Sequence, residues 1–375
     1  MSIHLSEMQV KALERIKNWY EHEFARGKQF FYLGGYAGTG KTTIEQFATE
    51  GIKGRICRAA FTGKAALRMQ QVSKKPAQTL HSLIYSVEEG KDGRPQFTVD
   101  LKHSYLVGAA ALVLDECSMV NEPLGFDVLK FGIPVLVLGD PGQLPPIEGA
   151  GFFTKRNPDS MLTEVHRQAL DNPIIRLATD IRNGKTVGRS SDERCEVYPL
   201  SRDVDINRYL VEYEQILTGT NRTRTAINKI ARRGKGTFPE VGDKLICLRN
   251  NKVSGIFNGM LATVSEVLES DETRVLLNLE TDLGPRNHVD IWPECFTDPD
   301  LLKTMPYRER VEMDEFDYGY AITVHKAQGS QWNSVCILDD DFLKWKKDDR
   351  AKWLYTGVTR AAERLVLAKY KAPNV

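Results

Sequence analysis

Gly35-Tyr36-Ala37-Gly38-Thr39-Gly40-Lys41-Thr42-Thr43 is the stretch whose reading decides this chain. It fits the pattern G-x-x-x-x-G-K-[ST], and its flanks are those the pattern needs. The apolar run Phe30, Phe31, Tyr32, Leu33 before it reads as a buried strand, and Thr42 through Ala48 has helical composition. The glycines therefore lie on a strand-to-helix turn whose backbone amides face phosphates. Gly35, Ala37, Gly38, Thr39, Gly40 and Thr43 form the cradle, Lys41 adds charge at the β and γ phosphates, and the Thr42 hydroxyl offers a ligand for Mg²⁺. The expected ligand is a nucleoside triphosphate.

Composition sets loose bounds around that site. At 375 residues with 41% hydrophobic content the chain can bury a substantial core, and its length suits two domains or one with insertions. A formal charge of +1 argues against a broad basic surface, but not against a strand held in a narrow channel. Cys57, Cys117, Cys195, Cys247, Cys295 and Cys336 form no C-x-x-C pair and sit mostly in apolar runs, so reduced thiols are expected rather than disulfides or zinc. No apolar segment reaches membrane-spanning length and the start MSIHLSEMQ lacks a signal-peptide core, so the sequence predicts a soluble, intracellular protein.

The organisation follows from apolar runs and their punctuation. Ser6 to Gln9 reads as a capping box with Leu5 and Val10 as a hydrophobic staple; Met8, Ala12, Leu13, Ile16, Tyr20 and Phe24 then recur at helical spacing. The runs Ile56 to Phe61, Ala111 to Leu114 and Val135 to Leu138 each end in a polar loop, the rhythm of a parallel α/β sheet with its chemistry at the carboxyl ends of strands. A second α/β set is expected at Gln215 to Thr218, Ala321 to Val324, Val335 to Leu338 and Leu365 to Ala368. It is interrupted between about 234 and 316 by a β-rich barrel or meander, with Asn258-Gly259 as a turn. A hairpin is expected between Tyr85 and His103, and no internal repeat is visible.

Two further strand ends carry chemistry. Leu112 to Glu116 is an apolar strand ending in paired acids: Asp115 to hold Mg²⁺, and Glu116 to orient and deprotonate the attacking water, since one acid serves poorly as both ligand and base. Gly139 to Pro146 presents Gln143 rigidly, where it can sense a γ-phosphate. Asp339-Asp340-Asp341 reads as a solvated turn rather than another metal site.

Taken in order, these segments resemble superfamily 1 helicases, in the branch with RecD-like and Dda-like enzymes. FTGKAALRM from Phe61, QTLHSLIY from Gln78, LDECSM from Leu114, GDPGQLPP from Gly139, LTEVHRQ from Leu162, TVHKAQGSQW from Thr323 and YTGVTRAAERL from Tyr355 are similar to that branch's successive motifs. The resemblance implies an α/β fold of two RecA-like domains: 1–84 with 104–163, and 164–233 with 317–375. It also implies a β-hairpin pin at 85–103 and an SH3-like subdomain at 234–316.

The same resemblance implies the remaining roles. Arg167 and Arg360 match arginines that reach the γ-phosphate from the second domain. Gln9 matches a glutamine that reads adenine, although it also fills the capping box, and Gln331 falls where relatives often carry a glutamate near the ribose. Thr62, Gly63 and Lys64 open a helix whose amides can grip a nucleic-acid phosphate, with Thr79 and His81 beside them; Thr220, Asn221, Thr323, His325 and Lys326 do the same in the second domain. Trp332 is either a base-stacking or a core residue, and Phe97 matches the aromatic of a strand-separating pin.

The implied protein is an ATP- and Mg²⁺-dependent 5′ to 3′ DNA helicase. It is expected as a cytoplasmic monomer in a bacterial or phage-infected cell, acting on single-stranded DNA and junctions, with replication or recombination proteins as partners. A translocase, a Pif-like or RNA-directed motor, and an ATP-switched clamp remain alternatives at this point.

Overall fold

The computed structural model describes residues 5–89, 95–146, 149–164, 171–185, 187–198, 204–251, 255–340 and 347–370. Its elements group into two compact units.

The first unit is built on six parallel strands: β1 (Phe30–Gly35), β2 (Ile56–Ala60), β3 (Gln78–Thr79), β6 (Ala111–Asp115), β7 (Val135–Gly139) and β8 (Ser160–Leu162). They lie in the order β3-β2-β6-β7-β1-β8. Strands covered on both faces should be apolar, and the central runs at 30–33, 111–114 and 135–138 are. Phe31, Leu33, Val113, Leu136 and Leu138 enter one core with Ala12, Ile16 and Ile44, whereas Tyr32, Leu112, Leu114, Val135 and Val137 enter the other with Leu80, Leu83 and Phe153.

The helices α1 (Glu7–Asn18), α2 (Lys41–Glu50), α3 (Gly63–Ser73), α4 (Leu80–Ile84), α5 (Glu122–Leu129) and α6 (Pro173–Arg182) accompany the sheet. The capping box forms at Ser6 and Gln9. The staple does not: Val10 is 40% exposed, while Leu5 packs on the core with Met8 and Leu13. α1 also ends earlier than its apolar spacing implies, passing at Trp19 into a wider π-type turn. At the end of α4 the chain enters the two-stranded pairing of β4 (Tyr85–Glu89) with β5 (Pro95–Val99).

The second unit has its own sheet, from β9 (Ser190–Ser191), β10 (Cys195–Tyr198), β11 (Gln215–Thr218), β17 (Ala321–Thr323), β18 (Trp332–Asp339) and β19 (Ala361–Lys369). The order is β17-β11-β18-β19-β10-β9, parallel except where β9 meets β10. Helices α7 (Ile206–Glu212) and α8 (Asn221–Ala231) bring Ile206, Tyr209 and Ile227 onto Ile216, Cys336 and Val366.

Between these strands runs an antiparallel sheet of β12 (Lys244–Cys247), β13 (Leu261–Ser270), β14 (Val275–Thr281), β15 (Gly284–Ile291) and β16 (Phe316–Tyr318), ordered β15-β14-β13-β12-β16. Its core holds Leu245, Val264, Leu277, Ile291 and Phe316, and the short helices α9 (Glu294–Thr297), α10 (Pro299–Thr304) and α11 (Tyr307–Arg310) follow β15. The chain then adds α12 (Lys347–Val358), which packs with α6 in the first unit. All six cysteines are buried and unbridged.

Candidate nucleotide and nucleic-acid sites

The phosphate-loop geometry follows from its glycines. Gly38 and Gly40 have φ of 77° and 83°, in the left-handed region. A Cβ on Gly35 would lie 2.7 Å from Thr39 Oγ1 and 2.8 Å from Lys41 Cγ, so no other residue fits the loop's floor. No side chain caps α2 at Gly40, and the amides at its start are left to a ligand. Lys41 Nζ donates to the carbonyls of Gly35 at 2.6 Å and Tyr36 at 3.2 Å, and the Thr39 hydroxyl to Tyr36 O at 2.8 Å. Thr42 and Thr43 stand partly buried in the first turn of α2.

Gln9 bridges two structures. Its Oε1 accepts from the Ser6 amide at 2.9 Å, closing the capping box, and its Nε2 donates to Thr39 O at 3.1 Å. At 3% exposure it ties the start of α1 to the phosphate loop.

The orientation of α2 rests on a buried ion pair. Arg58 of β2 donates to Glu45 Oε1 at 3.0 Å and to Thr49 Oγ1 at 3.1 Å. Burial raises the Glu45 pKa, and the Arg58 guanidinium opposes that rise.

Sheet order places the acids around the loop. β7 pairs directly with β1, Leu33 opposite Leu138 and Gly34 opposite Gly139, and so delivers Asp140 beside the loop. β6 lies one strand further away and delivers Asp115 and Glu116. Burial and the neighbouring Glu116 charge raise Asp115 to about pKa 6, against the pull of Lys41. Glu116 has a backbone φ of 54°, unusual for a residue with a side chain and characteristic of strain held at working sites.

Gln143 is 8% exposed, and its Oε1 has no hydrogen-bond partner among the described residues. Its loop is held by α12: Tyr355 bonds to Asp140, and Leu144 N–H donates to Thr356 Oγ1 at 2.9 Å. The Ala37 amide donates to the Tyr355 hydroxyl at 3.1 Å. Asp140, Tyr355 and Thr356 were given no role from the sequence. Asp140 carried a signal, a carboxylate directly after an apolar strand, but the two α12 residues lie more than two hundred positions from their partners.

Residues expected at nucleic acid form matching sets in the two units. In the first, Thr62 caps α3 with φ −109° and ψ 155°, its hydroxyl accepting from Ala65 N–H. Thr79, opposite Ala60 of β2, caps α4 two residues before His81. In the second, Thr220 caps α8 with φ −110° and ψ 152°, accepting from Thr223 N–H. Thr323, opposite Thr218 of β11, accepts from Lys326 N–H two residues before His325. Each unit therefore carries a threonine-capped helix beside a Thr-x-His strand end, built from the two sets of residues that the sequence reading gave to the two domains. Burial lowers the pKa of both His81 and His325, so each offers a neutral imidazole.

Gly63 and Lys64 open α3, and Asn221 opens α8. Asp340 is not a solvated turn residue: it accepts from Gly219 N–H and Thr220 N–H, both at 3.1 Å, and from the Thr220 hydroxyl at 2.8 Å. No group of three or more metal-binding side chains occurs among the described residues.

Phe61, His81, Tyr85 and Phe97 form an aromatic series, with successive centroids 5.4, 5.9 and 6.0 Å apart. It ends at Phe97, 57% exposed on β5. In the second unit, Arg360 is 4% exposed and donates to Ser330 O at 3.1 Å. Gln331 and Trp332 are partly buried at the start of β18, and Lys326 Nζ donates to Asn258 Oδ1. Arg167 lies outside the described residues.

The AAA domain family matches residues 5–196, just over half of the chain, and the UvrD-like helicase C-terminal domain matches residues 318–368. The chain belongs to superfamily 1, in its RecD-like and Dda-like branch. It is 26% identical to the ATP-dependent RecD2 DNA helicase of Deinococcus radiodurans, over 97% of this chain and 49% of that protein. To the ATP-dependent DNA helicase dda of Enterobacteria phage T4 it is 25% identical, over 87% of this chain and 80% of that one. The chain thus spans about half the length of RecD2. In fold it is similar to Bacteroides Pif1 bound to ssDNA, with a TM-score of 0.59 and 19% identity over 99% of this chain and 93% of that one. This superfamily 1 chain has no helix among its described residues long and apolar enough to cross a membrane.

Proposed function

We propose that this chain is an ATP-dependent DNA helicase that moves 5′ to 3′ on single-stranded DNA and unwinds duplex DNA. One observation carries the reading: the same threonine-capped helix and Thr-x-His strand end occur in both α/β units, and the first unit also carries the phosphate loop. A motor needs two grips and one fuel site.

The residues fit the nucleotide. Gly35 leaves a floor that a Cβ would fill, and among the described residues the start of α2 carries no side-chain cap and Gln143 keeps a buried acceptor without a partner. Lys41 and the loop amides hold the phosphates, and Gln9 and Gln331 would contact base and sugar. Thr42 and Asp115 would hold Mg²⁺, a hydroxyl and one carboxylate being an ordinary partial set for an ion that keeps waters and phosphate oxygens. When bound, Mg²⁺ neutralises charge on the phosphates. Glu116 orients and deprotonates water, and Gln143 reports the γ-phosphate. Arg167 and Arg360 stabilise the transferred group, an effect worth roughly 10³ to 10⁵ in rate.

Thr62, Gly63, Lys64, Thr79 and His81 grip the strand in one unit; Thr220, Asn221, Thr323, His325 and Lys326 grip it in the other, with Trp332 able to stack on a base. Nucleotide drives movement only through a difference in these two affinities. The hairpin at 85–103 serves as the strand-separating pin, and the β12–β16 sheet as the SH3-like subdomain. The supporting relatives are named as DNA helicases. Unwinding of duplexes with a 5′ or a 3′ single-stranded tail, with ATP hydrolysis compared on DNA and RNA, tests the reading. Activity confined to 3′ tails or to RNA would overturn it.

A further inference from the structure

Tyr355 is buried to 2% exposure and makes two bonds through one oxygen. Its hydroxyl accepts from the Ala37 amide of the phosphate loop at 3.1 Å and donates to Asp140 Oδ2 at 2.6 Å. The other oxygen of Asp140 accepts from Gly142 N–H at 2.9 Å, and the Asp140 carbonyl accepts from Gln143 N–H at 3.2 Å. The ring packs against the same loop, since a Cβ on Gly142 would lie 3.1 Å from Tyr355 Cε1. Thr356 adds a bond to the Leu144 amide. Two consecutive side chains of α12 therefore fix the segment from Asp140 to Leu144, in which Gln143 Oε1 is a buried acceptor without a partner among the described residues.

We infer that Tyr355 is a positioning residue for hydrolysis, its hydroxyl joining the phosphate loop to the loop that carries Gln143. The inference rests on the function proposed above and adds a residue to it. A phenol can accept and donate at once at the end of a rigid ring, and this geometry uses both capacities. A displacement of the Ala37 amide is carried through two hydrogen bonds to the carboxylate around which the Gln143 turn is built. Burial keeps the hydroxyl protonated, raising its pKa, so it remains the donor to Asp140. Gln143 Oε1 accepts, and the partner it suits is an O–H or N–H group such as a water beside the γ-phosphate. The relay would hold that acceptor in register with the phosphates.

The test uses the full chain with Tyr355→Phe, Asp140→Asn and the double variant. Tyr355→Phe keeps the ring on Gly142 and removes only the relay. ATP hydrolysis is measured with saturating oligothymidylate for kcat and KM, and a fluorescent ADP analogue gives nucleotide affinity. The expected result is a kcat at least about tenfold lower, with KM and ADP affinity within about threefold of wild type. The double variant should be no worse than the poorer single one, because both act on one unit. A kcat within about twofold of wild type in Tyr355→Phe, a loss matched by weaker ADP binding, or multiplying losses in the double variant would each overturn it. Should Tyr355→Phe not fold, Asp140→Asn and Thr356→Val supply the same kcat-against-KM comparison. If the wild-type chain hydrolyses ATP without DNA stimulation, the proposed function fails; if it is stimulated and Tyr355→Phe equals it, only the relay fails.

Discussion

The Glu116 amide donates to Asp115 Oδ1 at 2.8 Å, so the carboxylate assigned to the metal is oriented by the backbone of the residue assigned to the water. Two adjacent acids stand at the end of one strand. The backbone at the second of them, Glu116, is left-handed. The arrangement has a pH consequence.

Asp115 is raised to about pKa 6 by burial and by the Glu116 charge. A site that needs its carboxylate ionised loses activity as pH falls through about 6. Divalent metal binds only the deprotonated form, so higher Mg²⁺ should move that acid limb downward. Folding follows the opposite sign: between the ordinary carboxylate value and 6 the folded chain binds more protons, and this group's contribution declines as pH rises through that window. DNA-stimulated ATPase rates from about pH 5 to about pH 8, at two Mg²⁺ concentrations, check the catalytic half. An acid limb indifferent to Mg²⁺ would count against Asp115 as the metal ligand.

Arg58→Met leaves Glu45 buried without its ion pair. Breaking such a pair from one side costs about 3–5 kcal/mol, and urea denaturation at neutral pH should show a loss of that size. The loss should shrink in acid, where Glu45 can be protonated. Replacing both members with apolar residues should cost less than replacing Arg58 alone.

Asp340 uses the donors that a DNA phosphate would need at Thr220. Asp340→Ala should therefore tighten single-stranded DNA binding, by about fivefold or roughly 1 kcal/mol. It should also destabilise the chain by about 1–3 kcal/mol, since amide and hydroxyl donors lose their acceptor. Fluorescence anisotropy with an oligothymidylate measures the first effect. Weaker binding would mean that Asp340 shapes the Thr220 loop for DNA rather than competing with it.

Phe97 closes the aromatic series that begins at Phe61, and it is the exposed member. Base stacking on such a ring is worth about 1–3 kcal/mol. Phe97→Ala should lower duplex unwinding at least about fivefold while leaving DNA-stimulated ATP hydrolysis near wild type. Equal losses of both would assign Phe97 to general DNA binding. Tyr85→Phe, which removes the bond from its hydroxyl to Asp127 Oδ2, should loosen the base of the hairpin and give a smaller loss in the same direction.

Much of the fold was legible because parallel strands buried on both faces must be continuously apolar, as Leu112 to Leu114 and Val135 to Leu138 are. The phosphate loop and the paired acids were singled out for the same reason, since each directly follows such a run, and Gln143 stands in the turn that follows another. Val10 was misread because a staple depends on what covers the helix end, which spacing alone does not state. Asp340 was misread because its partners sit just after the neighbouring strand β11, 120 and 121 positions away. Tyr355 was quoted within a motif, but its bonds span 318 and 215 positions, and no local pattern encodes them. The two phosphate-directed sets were assigned one to each domain from the sequence, but only strand register shows Thr79 and Thr323 at equivalent places, opposite Ala60 and Thr218.

The central claim is that hydrolysis at the Lys41 site drives directional unwinding with Glu116 as the base. Its most direct test is a single-turnover unwinding assay on 5′-tailed and 3′-tailed duplexes, run with wild type and Glu116→Gln, with ATP hydrolysis followed in parallel. Wild type should unwind the 5′-tailed duplex alone, and Glu116→Gln should unwind neither while losing DNA-stimulated hydrolysis. Full DNA-stimulated hydrolysis by Glu116→Gln, or preference of the wild type for the 3′ tail, would contradict it.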